Sequence, residues 1–228
     1  LAAKDLKPYR VIYVTEPDIP VEGQKGLVEW TKKGGFLVTV SGAGARDRYD
    51  EPCDVLPSGT AIVEEPRERM LVADALGLPV AAEGTGEQGD FKAIGVRGRV
   101  VPAKRAMIRA SFSDGSPAIL QQKIGRGQRM HFAFLPGLSY LRSSSAEKDR
   151  LPVGFSDALR SYITAPVTQA GVKAPVATDK VMVETPLLLS DAGAAVTLLN
   201  WSGENVERLN VSVLAPFAVK TVRSVRHG

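Results

Sequence analysis

Between Tyr9 and Gly44 the chain spells a strand, a helix and a second strand in order, and this unit restricts the fold more than any other feature. Arg10 to Thr15 is a β-branched and aromatic run bounded by Glu16-Pro17 and Ile19-Pro20, the pattern of a strand buried on both faces. Val21 to Lys33 carries apolar residues at Leu27, Val28 and Trp30 and closes in Lys32-Lys33-Gly34. Lysines in a last turn complement the helix dipole, and a glycine just beyond stops the helix. Phe36 to Val40 is again apolar apart from Thr39. Strands joined by a helical crossover pair in parallel, because the crossover returns the chain to the end of the sheet where it began. The expected class is α/β. Its second strand runs into Ser41-Gly42-Ala43-Gly44, at the carboxyl edge where open sheets place their sites.

Composition removes several classes of function. The 228 residues are 44% hydrophobic and 24% charged, the balance of a folded rather than a disordered chain. The net charge of +4 comes from scattered Lys and Arg without a basic block, so no nucleic-acid partner is expected. No apolar run approaches the roughly 20 residues that span a bilayer, so no membrane partner is expected. Cys53 is the sole cysteine, which excludes an internal disulfide and a cysteine-based zinc site. Leu1 to Leu6 reads as the last turns of a helix leading into Lys7-Pro8. We therefore expect a sheet incomplete at its N-terminus, with an upstream domain of the same polypeptide as a partner.

Beyond Gly44, Ala45 to Pro52 is polar and aperiodic, a loop on the ligand edge, and Met70 to Leu78 reads as a short helix ended by Gly77. From Phe91 the period shortens. Lys92 to Val101, Ala106 to Phe112, Ala118 to Lys123 and Arg129 to Phe134 are expected antiparallel strands, with hairpin turns at Ser113 to Pro117 and Gly125-Arg126-Gly127. Phe134 to Tyr140 is expected to leave its strand as a loop. Arg142 to Lys148 is a serine-rich hinge, Val153 to Thr164 a helix, and Ala165 to Pro175 a proline-punctuated linker. The rest is read as strands over Val181 to Leu189, Ala194 to Trp201, Leu209 to Leu214 and Val219 to Val225. The expected division is an α/β domain over 1–141, a helical linker over 142–175 and a small antiparallel β domain over 176–228.

Several segments together carry a resemblance. Tyr9-Arg-Val-Ile-Tyr-Val14, the Lys-Lys-Gly-Gly35 helix end, Phe36 to Val40, Ala75-Leu-Gly-Leu78, Ser113-Asp-Gly-Ser-Pro-Ala118 and Lys123-Ile-Gly-Arg-Gly-Gln-Arg129 resemble the trimerisation domain of family 42 β-galactosidases. That domain belongs to the class I glutamine amidotransferase-like superfamily. Thr197-Leu-Leu-Asn-Trp-Ser-Gly203 and Val222 to Gly228 resemble the small β-sandwich that follows it. The resemblance implies a flavodoxin-like or amidotransferase-like open sheet with an antiparallel extension and a β-sandwich. It also implies a non-catalytic accessory module that assembles as a homo-oligomer within a larger carbohydrate-active protein.

The residues do not supply a catalytic set. Retaining glycosidases hold two carboxyl groups about 5 Å apart, whereas Asp47, Asp50, Glu51 and Asp54 share one polar loop with nothing to fix such a spacing. Amidotransferases of the resembled superfamily place an activated cysteine at the strand-to-helix elbow. Here the elbow carries Ser41, and Cys53 lies past the acidic loop. A serine nucleophile needs a base, and the chain offers His131, inside an apolar strand, and the terminal His227. Gly84 to Gly89 matches a dinucleotide fingerprint in spelling but precedes strands rather than a helix, so no cofactor is expected, and no metal.

The competing reading is a ligand-binding or hydrolytic domain centred on the elbow. Its pocket would be lined by Ser41, Gly42, Asp47, Pro136 and Tyr140, with Gly42 and Gly44 allowing close backbone approach to an anion. A third reading is a carbohydrate-binding module that stacks a sugar on Trp201.

Overall fold

The computed structural model describes residues 4–65, 78–145 and 152–225, and in it the strand, helix, strand unit forms where its sequence places it. β1 (Val11–Val14), α1 (Val21–Lys32) and β2 (Phe36–Val40) follow in order. β1 and β2 pair in parallel, Val11 opposite Phe36. The chain divides into two units, Leu1–Ser145 with Gly154–Val172, and Ala146–Val153 with Lys173–Gly228.

The first unit continues with α2 (Val55–Gly59), β3 (Ile62–Glu64), β4 (Val80–Gly86), β5 (Phe91–Ile94), β6 (Val100–Pro102), β7 (Met107–Phe112), β8 (Pro117–Ile124), β9 (Gly127–Phe132), α3 (Pro136–Ser143) and α4 (Asp157–Gln169). Seven strands form one mixed sheet in the order β1-β2-β9-β8-β7-β4-β5. β1, β2 and β9 run parallel, and the remaining pairs are antiparallel. The expected hairpin turns join β7 to β8 and β8 to β9. β3 pairs with β6.

Both faces of β2 are covered, so its side chains divide between two cores as strand geometry demands. Phe36 and Val38 join Phe91, Phe112, Phe132, Phe134, Leu159 and Tyr162 in the larger cluster. Leu37 joins Leu27, Val28, Trp30 and Leu56 in the smaller.

The structure corrects several expectations. β1 is the edge of the sheet rather than a strand buried on both faces, and Tyr13 is 42% exposed. The strand expected from Lys92 to Val101 is broken at Gly95, whose φ of +72° turns the backbone out of the sheet. β4 occupies a stretch with little apolar content that was not read as a strand. Phe134 to Tyr140 enters α3, with Pro136 in its first turn where the missing N–H is not needed. α4 begins at Asp157 because the Ser156 hydroxyl accepts from Leu159 N. It then runs through Pro166 to Gln169, its buried Leu159, Tyr162 and Pro166 lying on one face. The short helix expected from Met70 lies, but for Leu78, outside the described residues.

The second unit holds β10 (Val176–Thr178), β11 (Val183–Glu184), β12 (Leu187–Ser190), β13 (Gly193–Val196), β14 (Leu199–Asn200) and β15 (Val211–Val213). They pair antiparallel as β10 with β15, β11 with β14 and β12 with β13. The run from Val181 to Leu189 splits at Pro186, which has no N–H to give a ladder. Val219 to Val225 forms no strand, and Val219 and Val222 are exposed.

Candidate functional site

The elbow after β2 takes its shape from two glycines. Gly42 and Gly44 have φ of +78° and +67°, and a Cβ at Gly44 would stand 2.7 Å from Leu56 Cδ2. The chain therefore turns back without opening a helix, and Gly44 N donates to Glu16 O at 2.9 Å. At the turn the Ser41 hydroxyl donates to Glu64 Oε1, and Gly42 N donates to Glu64 Oε2 at 2.5 Å. Ser41 is 3% exposed and the Glu64 side chain 11%.

Behind this contact lies a buried polar row set by the parallel register of β2 and β9. Leu37 stands opposite Arg129 and Thr39 opposite His131, which puts Thr39, Arg129 and His131 on one face of the sheet. Arg129 Nε donates to Thr39 Oγ1 at 2.9 Å, and Nη1 donates to Thr60 Oγ1 at 2.5 Å and to Ile62 O at 2.9 Å. Arg129 Nη2 lies 3.4 Å from His131 Nδ1, and because a guanidinium can only donate, Nδ1 is the acceptor and also takes the Thr39 hydroxyl proton at 2.9 Å. This network assigns the His131 proton to Nε2, which faces Glu64 Oε2 at 4.0 Å.

Charge follows from the same geometry. Burial pushes His131 well below its ordinary 6.5, and the neighbouring Arg129 charge adds to the effect. Burial also lowers the Arg129 guanidinium to about 9, with the Glu64 charge pulling it back upward. Arg129 is thus charged and His131 neutral at pH 7. The cluster contains the residue types of a hydrolase, yet they are wired differently. In a serine hydrolase the histidine offers the nucleophile a basic lone pair, whereas here His131 turns an N–H toward the site and the buried Ser41 hydroxyl is held by the Glu64 carboxylate.

The other expected site residues keep local partners. Asp47 Oδ1 accepts from Tyr49 N at 2.8 Å and Glu51 N at 3.2 Å, a turn that closes on itself. Pro136 is buried in α3. Tyr140 stacks on Phe155 with centroids 4.9 Å apart and accepts from Arg160 Nε at 3.0 Å. Trp201 Nε1 donates to Glu184 Oε2 at 2.9 Å. The structure brings Ser41 and Gly42 together around Glu64, while Asp47, Pro136 and Tyr140 make other contacts.

Glu64, Arg129, Thr39 and Thr60 were not singled out from the sequence. The available signal was Arg129, a charge at the head of the run Met130 to Phe134 and two residues from its histidine, because a buried charge must find partners. Two clefts of about 760 Å³ each open elsewhere in the first unit, one beside Phe91, Ser139 and Arg142, the other beside Tyr9, Arg10 and Arg126. Among the described residues no group of three or more His, Cys, Asp or Glu is placed to hold a metal ion, and no helix is long and apolar enough to cross a membrane.

No family model and no curated protein matches the chain by sequence. Its structure is similar to Gan42B, a GH42 β-galactosidase, with a TM-score of 0.67 and 12% identity over 92% of this chain. It is similar to the β-galactosidase of Rahnella sp. R3, with a TM-score of 0.66 and 14% identity over 92%. A third is the β-galactosidase of Bacillus circulans sp. alkalophilus, with a TM-score of 0.63 and 16% identity over 92%. The chain covers 28%, 32% and 32% of those three chains respectively. It is a mixed α/β chain with the fold of a segment, under one third in length, of GH42 β-galactosidases.

Proposed function

We propose that the chain is a non-catalytic oligomerisation module of a larger glycoside hydrolase-like polypeptide. In this reading it is an amidotransferase-like α/β domain of the trimerisation type together with a small β-sandwich. The observation that carries the reading is the closure of the elbow: Ser41 is 3% exposed and spends its proton on Glu64. A nucleophile needs access to its substrate, and Ser41 is buried with its hydroxyl held by Glu64. The likeness to a segment of GH42 β-galactosidases supports the larger polypeptide. So do Leu188, Leu189, Leu214 and Phe217, exposed apolar residues of the second unit of the kind that partners cover.

The test combines activity with assembly. The chain is assayed on aryl β-galactosides and on aryl esters, and its mass is followed by sedimentation over a range of concentrations. We expect no turnover and self-association. Turnover abolished by Ser41→Ala would replace this reading with a hydrolase centred on the elbow.

A second reading concerns Trp201. It is 43% exposed, and its indole is held by Glu184, so one edge is fixed while the ring meets solvent, as a sugar platform requires. Calorimetric titration with galactose and galacto-oligosaccharides tests it. Binding lost in Trp201→Ala supports the platform, and absence of heat in the parent chain removes it.

A further inference from the structure

We propose that the Ser41-Gly42 elbow is a carboxylate-binding site that the chain fills with its own Glu64. Among the described residues, the groups that meet the Glu64 carboxylate in this corner are donors or a positive charge. Gly42 N–H reaches Oε2 at 2.5 Å, and the Ser41 hydroxyl reaches Oε1. His131 Nε2 makes no hydrogen bond among the described residues, is 2% exposed, and stands 4.0 Å from Oε2. The buried Arg129 supplies the positive field, and its coupling to Glu64 is favourable. Donors converging on two oxygens in a site shielded from water recognise a carboxylate far better than a neutral group.

The site is also cut to size. A Cβ added at Gly98 would lie 1.6 Å from Glu64 Oε1 and 2.9 Å from Ser41 Oγ, so the backbone at residue 98 lies against the carboxylate. Gly98 N donates to Ala133 O at 2.6 Å, which ties that backbone to the chain just past β9. Truncation of Glu64 to alanine removes a CH2 and a carboxylate, which is the heavy-atom skeleton of acetate. The ligand class of the vacated site is therefore a small monocarboxylate such as formate or acetate. The inference stands whether or not the chain is an oligomerisation module, because it concerns only the elbow.

The test is thermal unfolding of Glu64→Ala and of the parent chain at pH 7.5 in sodium acetate against sodium chloride at equal ionic strength. The variant is expected to show a saturable rise in Tm of about 5 °C in acetate relative to chloride, the parent none. Formate should act likewise, and benzoate, too large for a site bounded by Gly98, should not. An equal response of parent and variant to acetate, or no response in the variant beyond that in chloride, overturns the proposal. Should Glu64→Ala fail to fold in chloride, refolding from urea reads the same site. Recovery in acetate alone supports a carboxylate site, and failure in both salts overturns it.

Discussion

Replacing Arg129 by methionine keeps an unbranched apolar stem, shorter than that of arginine, while removing its charge and its donors, and the structure sets the scale of the loss. Thr39 Oγ1, Thr60 Oγ1 and Ile62 O would each lose a charge-assisted hydrogen bond. Glu64 would lose the positive charge that faces it. Arg129 and Glu64 interact favourably through their charges, and removing one side of a buried charge interaction costs roughly 3–5 kcal/mol. We expect Arg129→Met to lower stability by about 4 kcal/mol, equivalent to a Tm lower by roughly 8–16 °C for a chain of this size. Urea unfolding followed by Trp fluorescence reads the effect as a lower midpoint with unchanged slope. The cycle with Glu64→Met isolates the coupling, because the double variant removes both charges of the interaction. Its loss should fall short of the sum of the single losses by about 2 kcal/mol. Additivity within about 0.5 kcal/mol, or an Arg129→Met loss under about 1 kcal/mol, would refute the reasoning.

Other expectations rest on separate parts of the molecule. His131 is held neutral in the folded state, with its pKa below 6.5. As pH falls through 6.5 the unfolded chain binds a proton that the folded chain refuses, so the stability present above 6.5 declines by up to about 1.4 kcal/mol per pH unit. The stability difference between the parent and His131→Asn should therefore shrink between pH 7.5 and pH 5, and a difference independent of pH contradicts the assignment. Leu159→Ala, in the larger core at 1% exposure, should cost about 2–5 kcal/mol in urea unfolding. Gly44→Ala forces a side chain into left-handed backbone and against Leu56 at 2.7 Å. A loss of about 3 kcal/mol is expected, and a loss under about 1 kcal/mol would show that the elbow can relax.

Much of the fold was legible because its signals are local. The strand, helix, strand unit is written in contiguous β-branched runs and in Lys32-Lys33-Gly34, and α1 and β2 form where those signals stand. The hairpins at Ser113 to Pro117 and at Gly125-Arg126-Gly127 are equally local. β4 was not legible. Gly84 and Gly86 belong to it because bare backbone must pass Phe91 and the Arg109 carbonyl, which a Cβ would meet at 2.5 Å and 2.4 Å, and those neighbours come from other strands. Pro166 ended the expected helix on propensity, yet packing of Leu159, Tyr162 and Pro166 carries α4 past it.

The sequence by itself determined the α/β class, the crossover helix, the turns and the placement of Ser41 at the carboxyl end of a buried strand. All of these depend on residues within a few positions of one another. Only the tertiary structure decided what Ser41 does, because its partner Glu64 lies 23 residues away and the partner of Thr39, His131, lies 92 away. A hydroxyl, an imidazole and a carboxylate become a nucleophile or a buried lock according to which lone pair faces which proton. That orientation is set by the register of β2 against β9 and by Glu64 reaching the elbow, contacts that no local pattern encodes.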